Sequence, residues 1–533
     1  MIAKPPQRLV QESLLLSAET TPGKDAIVDE FGRRTYAQLA DEALRLARLL
    51  QDEGLEPGDR VAIQLDNTGR CAAAIFGTLL AGGVFMVVNP QTRAAKMALM
   101  LADSEASFVL TEGHAAAVAA DAVEQSSSRA HVFSTASATG RTPFTDLESA
   151  LAATDPSPSR PQTTSADLAG LIYTSGTTGR PKGVMLSHQA LVFVVGSIAE
   201  YLRLDADDRI LSVLSLAFTY GLSQLLLTTH LGATLLLERS FAFPARTLQR
   251  MRSERATVFP AVPTVYATLI GMEHAAPYES VRCLTNAAAG LPPSFHDGIR
   301  RIFPEARLYR MYGLTECVRV CYLEPDLVET RPTSVGRAIP GTEAFVLDES
   351  GNPVQPGATG VLHVRGPHLM MGYWRDGDST EHMLKAGPSP DERTLCTHDN
   401  FTVDDDGLLY FVGRTDDIIK TRGEKVSTIE VENVLHAIEG VRQAAVVGVP
   451  DERLGQAVWA YVVLADGAVL TEFDILRVVR SKLENFMVPT QLVILDELPH
   501  TESGKVQKNR LLDDAFMSSA TSSRPEPPPG AQH

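Results

Sequence analysis

The stretch IYTSGTTGRPKG, residues Ile172 to Gly183, combines three Gly, four Ser or Thr, an Arg and a Lys directly after an apolar run. Glycines let several backbone N–H groups turn toward one point, and the hydroxyls and the cations add further donors. Such a set of donors suits the oxygens of a phosphate chain. The stretch therefore predicts a loop that holds a nucleotide by its phosphates.

This loop differs from the commonest phosphate-binding motif. That motif reads G-x-x-x-x-G-K-[ST], whereas here Pro181 stands five residues after Gly176 and Gly183 follows Lys182. The alternative is a flexible Ser/Gly linker. Linkers rarely separate an apolar strand-like run (168–173) from an apolar helix-like run (189–198), so a phosphate loop of another kind is favoured.

The composition indicates a soluble globular protein of more than one domain. The chain has 533 residues, 44% of them hydrophobic and 21% charged, which is ordinary for such proteins. Its net charge of -17 argues against nucleic acid as a partner, because phosphate contacts of that kind need clustered Lys and Arg.

The five Cys stand at 71, 283, 317, 321 and 396, without a C-x-x-C pair. This favours neither a disulfide framework nor a zinc site. The short apolar patch in the first twenty residues is too short for a signal sequence, and no other segment is long and apolar enough for a membrane span. We therefore expect a cytoplasmic protein without an integral membrane segment.

Strand-like and helix-like runs alternate in the first half of the chain. A helix is expected over Tyr36 to Leu50 and a strand over Val61 to Leu65, and this alternation continues to about Leu237. It favours a layered α/β fold with largely parallel sheets. The region from Ala115 to Thr164, rich in Ala, Ser, Thr and Pro, is expected to be a looser connection.

The pattern of apolar and turn-forming residues changes at two places in the second half of the sequence. After Pro340, short alternating runs divided by Gly, Asn and Pro predict antiparallel strands or a small barrel. After about Gly413, patterns of helix and strand predict a small α+β domain of its own. The final RPEPPPGAQH is expected to be disordered.

Four further segments accompany the phosphate loop. They are YRMYGLTE (Tyr309 to Glu316), TLCTHDN (Thr394 to Asn400), YFVGRTDDIIKTRGEKV (Tyr410 to Val426) and HTESGKVQKNRL (His500 to Leu511). In order and spacing the set resembles the adenylate-forming superfamily of acyl- and aryl-CoA synthetases, nonribosomal-peptide adenylation domains and beetle luciferases. The resemblance covers the chain from about Tyr36 to Leu511 and is most like an acyl- or aryl-CoA ligase.

The resemblance implies the following domains. A large N-terminal domain, 1–414, would contain layered α/β subdomains and the small barrel. A small, mobile C-terminal domain, 415–516, would turn on a hinge near Asp416, and 517–533 would be a disordered tail. Catalysis would require the two domains to close on each other.

The family first joins a carboxylate to the α-phosphate of ATP, releasing pyrophosphate, and then lets a thiol attack the acyl-adenylate. By resemblance, Lys182 and six loop residues would wrap the β- and γ-phosphates; the six are Thr174, Ser175, Gly176, Thr177, Thr178 and Gly179. Thr315 would bind the α-phosphate, and Glu316 would help hold Mg²⁺ through its hard oxygen. Taken by itself, YGLTE is better explained as a turn followed by a helix N-terminus, with Thr and Glu as capping residues.

The resemblance also assigns the nucleoside contacts. Tyr312 would stack on adenine, and Asp399 with Arg414 would bind the ribose hydroxyls. Ala289 and Gly290 would lie at the adenine. Lys505 would bring its ammonium to the substrate carboxylate and the α-phosphate during adenylation and withdraw when the thiol enters.

Two residues depart from the family's pattern. His398 replaces the usual Gly before the ribose-binding Asp, which puts the loop shape in doubt. Arg310 replaces the Asn or Gln that many relatives carry two residues before Tyr312, and a guanidinium cannot accept from adenine's amino group. A backbone carbonyl of the loop Asn286 to Leu291 would then be needed.

The segment LSLAFTYGLSQLLL, Leu214 to Leu227, stands where relatives line the acyl pocket. Amino-acid-activating members usually carry Asp at the position of Thr219, and a buried ammonium without a carboxylate is costly, so an α-amino acid is disfavoured. An apolar or aromatic carboxylic acid is expected. The candidate pocket residues are Phe218, Thr219, Tyr220, Gly221, Ala287 and Gly313.

Three functions remain open at this point. The first is an AMP-forming acid–thiol ligase that uses ATP, Mg²⁺ and coenzyme A. The second loads an acyl group onto the phosphopantetheine arm of an acyl or peptidyl carrier protein. The third, of a different class, is a nucleotide-binding protein without catalysis, which the presence of Lys182, Glu316, Asp399, Arg414 and Lys505 disfavours.

Overall fold

A computed structural model describes ten ranges of the chain: 7–135, 144–175, 181–272, 277–389, 392–414, 419–421, 424–451, 454–483, 485–501 and 505–513. The structural statements below concern these residues. Asp416, the phosphate-loop residues Gly176 to Gly179 and the expected tail 517–533 lie outside them. The predictions for those residues therefore remain predictions.

The described helices, in chain order, are α1 (Glu12–Thr20), α2 (Tyr36–Asp52), α3 (Gly69–Ala81), α4 (Ala94–Ser104), α5 (Ala116–Ser126), α6 (Leu147–Ala153), α7 (His188–Leu202), α8 (Thr219–Leu231), α9 (Pro244–Ser253), α10 (Pro263–Ile270), α11 (His296–Ile302), α12 (Gly377–Met383), α13 (Thr428–His436) and α14 (Glu472–Lys482). The one expected over Tyr36 to Leu50 is α2, whose N-terminus is closed by a reciprocal capping box of Thr35 and Gln38. No helix in the described ranges has both the length and the apolar character that crossing a bilayer requires.

The strands of the first half are β1 (Asp25–Asp29), β2 (Gly32–Thr35), β3 (Arg60–Gln64), β4 (Val84–Val87), β5 (Phe108–Thr111), β6 (His131–Ser134), β7 (Thr145–Asp146), β8 (Leu168–Ser175), β9 (Pro181–Ser187), β10 (Arg209–Ser212), β11 (Thr234–Leu237), β12 (Val258–Ala261) and β13 (Cys283–Asn286). Those of the second half are β14 (Arg307–Tyr312), β15 (Cys321–Leu323), β16 (Ser334–Ala338), β17 (Glu343–Leu347), β18 (Thr359–Arg365), β19 (Gly372–Tyr373), β20 (Leu384–Ala386), β21 (Arg393–Val403), β22 (Leu409–Arg414), β23 (Ile419–Thr421), β24 (Glu424–Val426), β25 (Val441–Asp451), β26 (Gly455–Leu464) and β27 (Gln491–Leu495).

Two sheets with parallel centres form the large domain. The smaller has the order β19-β9-β8-β4-β3-β5-β6-β7, with β3, β4, β5, β6 and β8 parallel. The larger has a parallel centre of β1, β11, β10, β12, β13 and β14. Their strands are almost wholly buried, as expected for parallel strands covered on both faces. The predicted α/β fold class is confirmed.

Antiparallel strands extend the larger sheet beyond β14. The path runs β14-β15-β16-β22-β21-β18-β17, so the antiparallel pairing expected after Pro340 is confirmed. Within the described ranges these strands continue the large sheet as far as β17. The other expectation for this segment is a small barrel. The extension brings β21 and β22 to the carboxyl end of β14, where a ligand site is expected in α/β folds.

The C-terminal part has a sheet of its own, β24-β23-β26-β25 with β27 beside β26, covered by α13 and α14. It therefore has its own core, as a small α+β domain should. It touches the large domain where the Ser294 hydroxyl donates to the His436 carbonyl at 3.3 Å and where the His436 ring meets Phe295 edge-on. The exact boundary at 414 and 415 remains a prediction.

The expectation of a loose connection from Ala115 to Thr164 is wrong for the residues that form helices and strands, whereas 154–164 have neither. It contains α5, β6, β7 and α6, and alanines of α5 at one-turn spacing, Ala116, Ala119 and Ala122, are buried. Alanine has the highest helix propensity, so an Ala-rich stretch is a poor sign of disorder. Residues 136–143 lie outside the described ranges.

Gly221 fixes the start of α8 against the chain that precedes it. A Cβ on Gly221 would lie 2.1 Å from the carbonyl oxygen of Ser215 and 2.8 Å from that of Leu214. Both contacts are with backbone, which cannot rotate away. The first turn of α8 can therefore pack on this loop only if residue 221 has no side chain.

We expect Gly221→Ala to destabilise the protein by about 1–3 kcal/mol, the range seen for an overpacked core site. Gly196→Ala is the matched control, because Gly196 also lies within a helix, α7, and a Cβ there meets no atom within 4 Å. It should be neutral or slightly stabilising. Thermal unfolding of both variants tests this, and equal melting temperatures would show that the loop yields freely.

Candidate active site

The phosphate loop connects β8 and β9, which pair as antiparallel strands. Thr174 on β8 pairs with Lys182 on β9, so both flank the loop residues that lie outside the described ranges. The Lys182 ammonium donates to the Ser379 hydroxyl at 2.5 Å and lies 3.5 Å from the Asp376 carboxylate, beside the first turn of α12. It also lies 5.4 Å from the centre of the Tyr373 ring. These contacts hold the cation at the mouth of the hairpin.

Tyr373 connects this hairpin to Glu316. Its hydroxyl donates to Glu316 Oε1 at 2.6 Å, and the Met370 N–H donates to the Glu316 carbonyl at 2.7 Å. Glu316 thus has a fixed position although it follows β14 in a segment without regular structure. Thr315 beside it is half-buried, and no helix begins there, so the alternative of a helix N-terminus at YGLTE is wrong.

Tyr312 and Asp399 form the centre of the site. The Tyr312 hydroxyl donates to Asp399 Oδ2 at 2.5 Å, and Arg414, the register partner of Asp399 on β22, lies 3.9 Å from Oδ1 through Nε. Burial raises the pKa of Asp399 to about 6, while Tyr312, Arg414 and Lys505 act to lower it and Glu316 to raise it. The predicted ribose-binding pair is therefore brought together beside the predicted adenine-stacking ring.

Lys505 reaches this centre from the C-terminal domain. Desolvation lowers the pKa of its ammonium, Asp399 and Glu316 act to raise it, and Arg414 lowers it further. By surface area Lys505 is nevertheless exposed. We therefore attribute the lowered pKa to crowding in a cleft that is still open to water, with the ammonium within electrostatic reach of both carboxylates.

His398 has the backbone conformation that a glycine would favour. Its φ is +55°, in the left-handed region, and its ring stacks on His382 with the centroids 4.2 Å apart. The Asp399 N–H meanwhile donates to the Thr397 hydroxyl at 3.2 Å. The departure from glycine thus preserves the loop shape, with some strain in the backbone, and the carboxylate stays in place.

The small-residue loop after β13 lies next to β14. Ala287 is buried, Ala288 has a φ of +72°, and Ala289 and Gly290 are exposed; the Asn286 amide donates to the Ala289 carbonyl at 3.0 Å. Arg310 is the register partner of Asn286 and is 5% exposed. Its Nη1 has no hydrogen-bond partner among the described residues, and burial lowers its pKa to about 10.

The candidate acyl pocket lies at the first turn of α8. Phe218 and Thr219 are half-buried, whereas Tyr220 and Gly221 are buried. Thr219 and Val318 lie together between α7 and α8, where the packing leaves no space for a water molecule. Gly313 lies against Val318, because a Cβ there would meet the Val318 carbonyl oxygen at 2.5 Å. The predicted pocket residues of α8 and the YGLTE segment therefore meet.

The sequence interpretation missed Tyr373, Asp376, Ser379 and Arg319. Arg319 stands three residues after Glu316, so an extension of the motif would have reached it. Its guanidinium lies 5.2 Å from the centre of the Tyr220 ring. Tyr373 and α12 carry no local signal, because their place depends on the pairing of β19 with β9.

Comparison with known proteins supplies the family. The sequence profile of the family described as AMP-binding enzyme matches residues 15–374, and that of the AMP-binding enzyme C-terminal domain matches residues 430–505. The chain belongs to the AMP-binding enzyme family. The motif resemblance is thereby confirmed, and with it the expectation of an AMP-forming acid–thiol ligase.

Individual relatives of this AMP-binding enzyme differ in length. A feruloyl-CoA synthase from Amycolatopsis sp is 34% identical over 482 residues, which cover 90% of this chain and 93% of that protein. A linear gramicidin synthase from Brevibacillus parabrevis is 30% identical over 96% of this chain, but the chain spans only 6% of that protein. The structure of a benzoate CoA ligase from Burkholderia xenovorans LB400 has a TM-score of 0.85 at 27% identity, covering 95% of this chain and 100% of that one.

A second cluster of acids lies away from the site, after β3 and β5 of the smaller sheet. Ligand atoms of Asp66, Glu112 and His114 lie within 4.8 Å of one another. Burial raises the pKa of Glu112 to about 7, and the neighbouring Asp66 raises it further in the same direction. Arg239 lies 2.8 Å from the Asp66 carboxylate and Arg70 lies 3.8 Å from the Glu112 carboxylate, so each acid already has a cation beside it.

The raised pKa of Asp399 predicts a pH dependence of nucleotide binding. A carboxylate binds ribose hydroxyls as an acceptor, and an acid with a pKa of about 6 loses that charge as the pH falls through 6. We expect KM for ATP to rise by up to about tenfold for each unit below pH 6. Steady-state kinetics between pH 5 and 8 measure it.

Two variants separate Asp399 from its neighbours. Asp399→Asn should have a raised KM for ATP throughout and no such rise below pH 6. His398→Gly removes the adjacent imidazole and should keep the rise. Loss of the rise in His398→Gly, with its persistence in Asp399→Asn, would assign the titration to the histidine.

Proposed function

We propose that this AMP-binding enzyme activates a carboxylic acid with ATP, releases pyrophosphate, and transfers the acyl group to the thiol of coenzyme A. The observation that carries the proposal is the convergence of four groups from separate parts of the chain. The Lys505 ammonium lies within electrostatic reach of Asp399, Glu316 and Arg414. Tyr373 joins this group to Lys182 and the phosphate hairpin.

In the first half-reaction an oxygen of the acid forms a bond to the α-phosphorus of ATP, and the bond from that phosphorus to pyrophosphate breaks. Lys505 would stabilise the negative charge between the carboxylate and the α-phosphate, as oriented cations do in such sites. Thr315 would donate to the α-phosphate, and Lys182 with the residues of the hairpin tip would hold the leaving pyrophosphate. Tyr312, Asp399 and Arg414 would hold the nucleoside in line.

The donor set also fits a magnesium ion. Glu316 offers a hard carboxylate oxygen, and while Oε1 accepts from Tyr373, Oε2 receives no hydrogen bond from the described residues. An ion bound there would neutralise phosphate charge. Tyr373 would orient the carboxylate for it, in the way that outer hydrogen bonds orient metal ligands.

In the second half-reaction the thiol attacks the acyl carbon and AMP leaves. Lys505 interacts electrostatically with Asp399 and Glu316, and if these residues bind the nucleotide, entry of the thiol requires a different position of the C-terminal domain. A hinge at Asp416 would permit it, with rotation carrying Lys505 away.

The acid is proposed to be an apolar or aromatic carboxylic acid and not an α-amino acid. Thr219 offers no carboxylate to pair with a substrate ammonium, and the side chains that surround Thr219 between α7 and α8 are mainly apolar. The names of two relatives, a feruloyl-CoA synthase and a benzoate CoA ligase, refer to aromatic acids.

A panel of carboxylic acids assayed for ATP-dependent pyrophosphate release tests the proposal. Coenzyme A and a phosphopantetheinylated carrier protein are then supplied to the active acids as acceptors. Release of ADP and phosphate would overturn the adenylation proposal. A free amino acid with the highest kcat/KM would overturn the proposed substrate class, and acylation of the carrier protein alone would replace coenzyme A as the acceptor.

Lys505→Ala should slow adenylation by at least about 100-fold, the effect of removing one oriented electrostatic donor. Because Lys505 is exposed, its loss should leave folding unchanged. Thioester formation from separately made acyl-adenylate should survive, since Lys505 withdraws in that step. Pyrophosphate exchange and thioester formation are measured on the same purified variant.

Lys508→Ala is a control on a neighbouring lysine of the same domain. Its ammonium donates to the Thr428 hydroxyl at 2.9 Å and pairs with Glu432 at 2.8 Å, both within the C-terminal domain. It should keep the adenylation rate of the wild type. Loss of thioester formation with retained exchange in Lys505→Ala would reverse the assignment, and retention of both would make Lys505 a surface residue.

A further inference from the structure

An open cleft lies on the antiparallel extension of the large sheet. It has a volume of about 930 Å³ and is lined by residues of β16, β17, β18, β20, β21 and β22. None of the described residues that line it is a candidate active-site residue. Its volume is in the range of pockets that bind small organic molecules, so this cleft has room for a ligand of its own.

The charged side chains of this cleft are mostly cations. Arg337, Arg365 and Lys385 line it, and Glu343 is the one carboxylate among its described lining residues. Glu343 already accepts from Arg365 Nη2 at 2.8 Å. Positive charge is therefore in excess here, although the whole chain has a net charge of -17. A concave site with an excess of one charge concentrates ligands of the opposite charge.

Arg365 and Lys385 lie on either side of one residue of β21, Thr394. Lys385 of β20 is the register partner of Thr394, and Arg365 of β18 lies opposite Thr394, one residue past the pair of Val364 and Leu395. Neighbouring strands are about 4.8 Å apart, so the two cationic residues start about 10 Å apart. All three side chains line the cleft. A guanidinium, an ammonium and a hydroxyl thus face one space.

The guanidinium of Arg365 is held in place before any ligand binds. Glu343 accepts from it, and its carbon lies 4.7 Å from the centre of the Phe345 ring. The Arg365 side chain is still 25% exposed, so a ligand in the cleft can reach it. The Lys385 ammonium donates to the Glu381 carbonyl at 2.9 Å and makes no ion pair with a described residue. A preorganised guanidinium loses little entropy when a ligand binds.

Two rings line the cleft beside these cations. Phe345 of β17 and His363 of β18 are register partners, with ring centroids 5.9 Å apart and ring planes only 17° from parallel. Burial lowers the pKa of His363, and the ammonium of Lys385 acts in the same direction, so the imidazole is neutral at pH 7. The two rings therefore offer a flat, uncharged surface for the packing of another ring.

We propose that this cleft is a second binding site of the enzyme, for a small organic phosphate whose other end is a flat ring. Arg365, Lys385 and Thr394 would bind the phosphate oxygens, and the ring would lie against Phe345 and His363. A guanidinium binds two phosphate oxygens through parallel hydrogen bonds, and an ammonium acts as a point charge. A phosphate group is preferred to a carboxylate because it offers three acceptor oxygens to the three donor groups.

The test uses phenyl phosphate as the probe, with inorganic phosphate as the probe without a ring and phenol as the probe without a charge. Titration calorimetry on the full chain measures the Kd of each. We expect phenyl phosphate to bind about threefold or more tightly than inorganic phosphate, because its ring packs on the two rings of the cleft. Phenol should show no measurable binding. In Lys182→Gln, which lacks the cation beside the phosphate loop, binding of phenyl phosphate to the cleft should remain.

Variants at the cleft locate the binding. Lys385→Gln removes one charged donor and should raise the Kd of phenyl phosphate about tenfold or more. Lys385→Arg keeps the charge and should retain most of the affinity, which separates loss of charge from loss of fold. Arg393→Gln is the matched control, because Arg393 is exposed, precedes Thr394 on β21 and does not line the cleft. Its Kd should equal that of the wild type.

The other outcomes would overturn the proposal. Absence of binding to the wild type refutes the site. An equal loss of affinity in Lys385→Gln and Arg393→Gln would show that the probe responds only to the general charge of this face. Loss of binding in Lys182→Gln with retention in Lys385→Gln would assign the probe to the phosphate loop. Equal affinity for phenyl phosphate and inorganic phosphate would refute the place for a ring. None of these results bears on pyrophosphate release from carboxylic acids, so the proposed function is tested separately.

Discussion

The hydrogen bond from Tyr312 to Asp399 is the interaction on which the site depends. It joins the end of β14, in the parallel centre of the large sheet, to β21 in the antiparallel extension. A single sheet therefore turns from parallel to antiparallel at the place where the predicted nucleoside-binding residues lie. The contact from Tyr373 to Glu316 joins the smaller sheet to the same centre, because Tyr373 belongs to β19, which pairs with β9. Two sheets and the C-terminal domain thus meet at a few polar side chains.

The sequence predicted the parts of this site that are local. Thr174 and Lys182 flank one loop, Tyr312 and Glu316 share one segment, and the alternation of helix and strand decided the fold class. Residues that are close in sequence stay close in space in any fold, so their spacing alone predicts that they can act together. Tyr373 and Arg319 were not predicted from the sequence. The position of Tyr373 depends on the pairing of β19 with β9, and Arg319 packs on the ring of Tyr220, 99 residues earlier in the chain. Long-range contacts of this kind leave no periodic trace.

The error over Ala115 to Thr164 has a different physical cause. The expectation of a loose connection rests on a composition rich in Ala, Ser, Thr and Pro. In α5 the small side chains are buried at helical spacing, and a narrow residue lets a helix pack closely on its neighbours. Composition alone does not separate a flexible stretch from a tightly packed one, whereas the period of the buried alanines does. The roles assigned to Gly176 to Gly179 and to Asp416 remain predictions.

The charges of the site share one property that links stability to function. Desolvation raises the pKa of Asp399, lowers the pKa of Lys505 and of Arg310, and leaves Arg319 buried without an acid. Asp399, Lys505 and Arg310 are each held where burial disfavours the charged form. A fold can retain such groups only because the surrounding sheets supply enough buried apolar surface to offset them. A ligand that brings the opposite charge or hydrogen-bond partners would offset the free-energy cost of burying several of these groups at once. Its binding energy would then be concentrated at the proposed reaction centre.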